Sequence, residues 1–131
     1  MPVGLLLVSH NRIGQDLLAT ATAMLGRSPM RTAHLAVSQS GDPDALFQRA
    51  TELCTELDDG DGVLVLTDMF GSTPSNIATR LLHEPRCKVV SGMNLPMLVR
   101  VMNYPQLALP ELINKALSGG HDGIILCDPG E

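Results

Sequence analysis

A histidine and an aspartate, each placed directly after an apolar run, are the residues of this chain best suited to chemistry. His10 follows Val3-Gly4-Leu5-Leu6-Leu7-Val8-Ser9, and Asp68 follows Val63-Leu64-Val65-Leu66-Thr67. Buried strands of open α/β sheets end in this way, and such sheets bind their ligands beyond the carboxyl ends of the strands. If the two strands are neighbours, Asp68 fixes the tautomer of His10 and leaves the other ring nitrogen free as a nucleophile.

The residues after Asp68 extend this chemistry. Gly71-Ser72-Thr73-Pro74 reads as a helix start, with Thr73 as N-cap and Pro74 as the first helical residue. The free amides of that terminus, with the hydroxyls of Ser72 and Thr73, make an anion site, and Gly71 permits a close backbone approach. A nucleophilic imidazole beside an anion cradle suits phosphoryl transfer better than acyl transfer, because fixed donors stabilise the charge on the three phosphoryl oxygens.

Taken singly, each residue has a plainer reading. A lone histidine after a strand is a polar loop residue, Asp68 caps a turn, and Ser72-Thr73-Pro74 is an ordinary helix start. Only their joint placement at two strand ends favours a site. Arg12 is a solvated helix-start residue on the plain reading and a partner for a bound phosphoryl group on the functional one. Met69, Phe70 and Met97 are core residues by type; if exposed, they form an apolar rim around the nucleophile that suits a protein partner. His34, His83 and His121 have no assigned role, and their separation gives no metal-ligand spacing.

The elements that must position these groups follow from apolar periodicity. Short apolar runs alternate with amphipathic segments of helical length, the pattern of a mainly parallel α/β sheet. Strands are expected over about Val3 to Ser9, Thr32 to Val37, Val63 to Thr67, Cys87 to Ser91 and Gly123 to Cys127. The first helix carries Ile13, Leu17, Ala21, Met24 and Leu25 and ends at Gly26. The second is capped by Asp42 and carries Leu46, Ala50, Leu53, Cys54 and Leu57. A third carries Ile77, Ala78, Leu81 and Leu82, a fourth has an Asn cap, and a last helix runs from Pro110 to Gly119-Gly120. For the first and third strands to be neighbours, the second must lie outside the first, which opens a crevice at the switch point.

Composition excludes other classes. The 131 residues make one domain, 1–131, with 44% hydrophobic residues and a net charge of −5. There is no basic stripe, and one Tyr, two Phe and no Trp give no stacking platform, which argues against nucleic acid. No apolar run reaches membrane-spanning length and no signal peptide is visible, so the expected location is cytoplasmic. The three cysteines, Cys54, Cys87 and Cys127, have no metal-type spacing and read as small buried hydrophobes.

At these residues the chain resembles the mannose-family enzyme IIA component of the bacterial phosphoenolpyruvate-dependent sugar phosphotransferase system. The resemblance runs along nearly the whole chain. It is carried by Val8-Ser9-His10, by Thr67-Asp68-Met69-Phe70-Gly71-Ser72-Thr73-Pro74-Ser75-Asn76 and by Ser91-Gly92-Met93-Asn94-Leu95-Pro96-Met97-Leu98. It implies that His10 accepts a phosphoryl group from phospho-HPr and passes it to a IIB component, with Asp68 holding the other ring nitrogen. It implies a three-layer α/β sandwich of strand order 2-1-3-4-5, the last strand antiparallel and exchanged in a homodimer, with Gly119-Gly120 as hinge. No metal or organic cofactor is implied, and the protein would touch a membrane permease complex only peripherally. Many members have two glycines where this chain has Gly71-Ser72, and fused members continue into IIB where this chain stops, which gives the expectation of a free-standing IIA protein. Two rivals remain: the phosphotransfer subunit of a dihydroxyacetone kinase, and a non-catalytic module that binds an anion or a partner peptide.

Overall fold

In a computed structural model that describes residues 2–130, the chain forms a four-stranded parallel sheet with helices on both faces. The elements are β1 (Gly4–His10), α1 (Ile13–Leu25), β2 (Thr32–Val37), α2 (Pro43–Leu57), β3 (Val63–Thr67), α3 (Thr73–Thr79), a 3-10 turn (Arg80–His83), β4 (Cys87–Ser91), α4 (Leu95–Met102) and α5 (Leu109–Asp122). The strand order is β2-β1-β3-β4. β1 and β3, the two most apolar runs, therefore lie at the centre, where both faces of a strand are covered.

Alternation along the central strands separates two cores. Leu5, Leu7, Leu64 and Leu66 face α1, α4 and α5, and pack on Leu18, Ala21, Leu98, Val101 and Leu112. Leu6, Val8, Val63 and Val65 face the other way, onto Ala50, Leu53 and Leu57 of α2 and Ile77 and Ala78 of α3. The period of two along a strand turns one continuous apolar run into two buried faces, and the three layers follow.

The helix ends are encoded locally. Asp42 caps α2 by accepting the N–H of Asp44, Asn94 caps α4 by accepting that of Met97, and Gly26 closes α1 at φ 77°. At α3 the cap is Ser72 rather than Thr73: the Ser72 hydroxyl accepts the Ser75 N–H, and Thr73 is already helical. The buried stripe of α1 is centred on Leu18 and Ala21, so Ile13 and Met24 of the expected face are exposed. Leu82 is likewise exposed, because the backbone tightens to 3-10 geometry from Arg80.

The expected fifth strand is the main correction. Gly123 to Cys127 makes no strand pairing within the chain, and Ile124, Ile125 and Leu126 are exposed, as is Cys127. α5 does not stop at Gly119-Gly120 but continues to Asp122. The two glycines are packing residues. A Cβ on Gly119 would stand 2.8 Å from Cβ of Arg100, and one on Gly120 would stand 2.8 Å from Cε of Met97. Their missing side chains let α5 lie close on α4, and the helix end comes to rest against Pro96, from which residues 123–127 leave unpaired.

Candidate functional site

His10 ends β1 and Asp68 follows β3, and the parallel pairing of these strands puts both groups at one end of the sheet. Oδ2 of Asp68 accepts two hydrogen bonds from His10, one from the backbone N–H at 3.0 Å and one from Nδ1 at 2.7 Å. A carboxylate can only accept, so this contact places the ring proton on Nδ1 and leaves the lone pair of Nε2 available. The Asp68 side chain is 11% exposed and that of His10 is 42% exposed: the anchor is shielded while the ring stays open.

Burial pushes the Asp68 carboxyl up. The hydrogen bonds from the His10 backbone and ring, with the attraction of an imidazolium, outweigh it and hold the group below its ordinary range. Among the described residues, the second oxygen of Asp68, Oδ1, is buried without a hydrogen-bond partner. Apart from its own backbone, Asp68 is committed to His10.

The ring opens into a recess of about 810 Å³ lined by His10, Asn11, Val37, Ser38, Gln39, Gly41, Pro43 and Thr73. Most of this wall comes from the connection between β2 and α2, which lies beside His10 because His10 pairs with Val37. Asn11 holds φ 47°, a left-handed conformation that asparagine tolerates better than most residues, and its N–H donates to the Val37 carbonyl. Ser9, also missed in the sequence reading, is 1% exposed and accepts the N–H of Gly14 at 2.7 Å, tying the strand end to the first turn of α1. The signal for the β2–α2 wall was available in the expected strand order, since strand two adjoins strand one.

The other expected residues divide. Thr73 lines the recess, whereas Gly71 and Ser72 lie in the turn before it, Gly71 at φ 84°. The Ser72 hydroxyl donates to the Met69 carbonyl at 2.6 Å while accepting the Ser75 N–H at 3.4 Å, so it is engaged in shaping the turn. Arg12 is exposed, sits at the N-terminus of α1 and lies 3.7 Å from Asp16. Met69 and Phe70 are exposed, 61% and 81%, on the loop after Asp68. Met97 does not join them. It is 3% exposed in the core between α4 and α5, because the N-terminal turn of α4 is packed down by Gly119 and Gly120. Among the described residues no group of three or more His, Cys, Asp or Glu side chains is disposed to hold a metal ion.

A parallel α/β sheet carrying a carboxylate-oriented imidazole at its switch point defines a class of proteins suited to nucleophilic group transfer. Residues 4–117 match the family described as "PTS system fructose IIA component" (EIIA-man), and the chain belongs to that family. It is 26% identical over 127 residues to the PTS system mannose-specific EIIAB component of Escherichia coli K12, covering 95% of this chain and 39% of that protein. It is 43% identical over 60 residues to the PTS system fructose-specific EIIA component of Bacillus subtilis 168, covering 43% of this chain and 41% of that one. The chain thus spans about two-fifths of the length of the curated relatives it matches. Among solved structures, the mannose/sorbose specific IIA subunit of the phosphotransferase system from Enterococcus faecalis superposes with a TM-score of 0.87 at 26% identity, over 100% of this chain and 98% of that one.

Proposed function

We propose that this protein is a phosphoryl relay of the sugar phosphotransferase system, in which His10 accepts a phosphoryl group from phospho-HPr and passes it to a IIB component. The observation that carries the reading is the 2.7 Å hydrogen bond from His10 Nδ1 to Asp68. The lone pair of Nε2 attacks phosphorus in line with the donor nitrogen, the donor P–N bond breaks, and a new P–N bond forms on Nε2. The proton stays on Nδ1, donated in a hydrogen bond to Asp68, whose carboxylate stabilises the cationic ring until the acceptor takes the phosphoryl group.

Thr73, with the Gly71-Ser72 turn behind it, would donate hydrogen bonds to the phosphoryl oxygens. The exposed Met69 and Phe70, with Arg12 beside the turn after His10, would meet the surface of the partner protein. The relay would act in the cytoplasm, without a metal or organic cofactor, and reach a membrane permease only through its partners. Among the described residues no helix is long and apolar enough to cross a membrane.

Homodimerisation is part of the same reading. β4 is an edge strand, and Ile124, Ile125 and Leu126 are exposed at 77%, 72% and 82%. Pairing this segment with the β4 edge of a second copy would cover both liabilities. Sedimentation is expected to give a dimer at micromolar concentration, and a monomer would remove this part of the proposal.

The relay is tested by incubating the protein with enzyme I, HPr and labelled phosphoenolpyruvate. An acid-labile, base-stable label on the wild type that is lost in His10→Ala is expected. No label on the wild type would instead favour a module that binds an anion or a peptide.

A further inference from the structure

At the amino ends of the strands, away from His10, α2 and β4 bring together two cysteines that stand far apart in the sequence. Cys54 lies in the last turn of α2 and Cys87 opens β4, and each is 4% exposed within the same apolar cluster. Both line a small recess of about 230 Å³ whose other walls are Thr51, Thr55, Asp58, Glu84, Pro85 and Arg86. No step at the His10 site uses either sulfur.

We propose that Cys54 and Cys87 are a modification site, a dithiol that a hydroperoxide converts reversibly into an intramolecular disulfide. Three observations support it. Both thiols line one recess although they come from distant segments, the recess admits a molecule as small as hydrogen peroxide, and the surrounding cluster shields the product. The two sulfurs are also unequal. Hydrogen bonding from Cys54 holds the Cys87 thiol below its ordinary range despite burial, and the same contact, with burial, pushes Cys54 up. Cys87 is thereby the attacking sulfur and Cys54 the resolving one.

The step balances with peroxide as sole oxidant. The Cys87 thiolate attacks one peroxide oxygen, the O–O bond breaks, and the leaving hydroxide takes up a proton as water, which leaves a sulfenic acid on Cys87. The sulfur of Cys54 then attacks that sulfur. The S–S bond forms, the S–O bond breaks, and the departing hydroxyl leaves as a second water with the Cys54 proton. Two thiols are oxidised and one peroxide is reduced. A dithiol reductant reverses the change by exchange.

The test uses the full chain, folded, with excess hydrogen peroxide, followed by denaturation and alkylation. In the Cys127→Ser variant neither remaining cysteine is expected to be alkylatable, and peptide mapping should find Cys54 joined to Cys87. Dithiothreitol should restore both labels, and Cys127→Ser should leave the couple unchanged. Because Cys87→Ala removes a buried side chain and can unfold the protein, the Cys127→Ser variant carries the test. Persistent labelling of both Cys54 and Cys87 would overturn the proposal. So would sulfinic acid on Cys87 with Cys54 still free, or a link made only through Cys127. The outcome is independent of the phosphoryl-relay reading.

Discussion

The hydroxyl of Ser9 accepts the N–H of Gly14 at 2.7 Å inside the protein, so the residue before the nucleophile is tied to the helix that follows it. Ser9→Ala keeps the volume and removes the acceptor. A buried donor then lacks its partner, which costs about 1–3 kcal/mol. Urea denaturation is expected to show that loss. A loss below about 0.5 kcal/mol, the scale of an ordinary surface substitution, would show that the bond does not anchor α1.

Asp68→Asn retains the shape and removes the charge. Transfer through His10 is expected to slow by roughly ten- to a hundredfold, by analogy with the loss seen when a metal-bound imidazole is deprived of the partner on its other nitrogen. Far-ultraviolet circular dichroism should be unchanged. An unaltered transfer rate would show that the carboxylate does not orient the ring.

The same carboxylate gives a pH dependence of stability. Its folded-state value is depressed, so the folded protein resists protonation of Asp68 more than the unfolded chain does. The resulting stabilisation is fully present above the ordinary aspartate value of roughly 3.9 and disappears as pH falls through the lower folded value. The stability difference between wild type and Asp68→Asn, measured by denaturant titration, should therefore be largest near neutral pH and shrink below about pH 4. A difference that grows on acidification would reverse the sign of this argument.

Phe70, 81% exposed, supports nothing in the core. Phe70→Ser should change stability by less than about 0.5 kcal/mol. In the relay assay it should raise the KM for the protein partner several-fold, with little change in kcat. Equal KM values for the variant and the wild type would exclude Phe70 from the docking surface.

The glycine pair in α5 makes a differential prediction. Either substitution by alanine gains about 1 kcal/mol of helix propensity. At Gly120 the new methyl meets the mobile end of Met97, whereas at Gly119 it meets Cβ of Arg100 at 2.8 Å and the Met97 backbone at 3.2 Å. Gly120→Ala should be near neutral, and Gly119→Ala should lose about 1–3 kcal/mol to overpacking, partly offset by propensity. Thermal melts of the two variants would check the order.

Much of the architecture was legible in the sequence because its determinants are local. The period of two in Leu5 to Val8, the caps at Asp42 and Asn94, and the αL glycine at position 26 act within a few residues of themselves. The positions of His10 and Asp68 at strand ends belong to the same class. Errors came where a residue's type does not reveal its neighbours. Met69 and Met97 are the same amino acid, yet one is exposed and the other fills the space left by Gly119 and Gly120 of α5.

By itself the chain determined four parallel strands, their helices and two chemically matched residues beyond strand ends, since hydrophobic period and turn chemistry are properties of neighbouring residues. Only the tertiary structure decided that the imidazole and carboxylate stand 2.7 Å apart and that Cys54 and Cys87 line one recess. It also left Ile124 to Leu126 without a strand to pair with inside one chain. These are contacts between distant segments. They depend on how sheet and helices pack together, and no local pattern in the sequence encodes that packing.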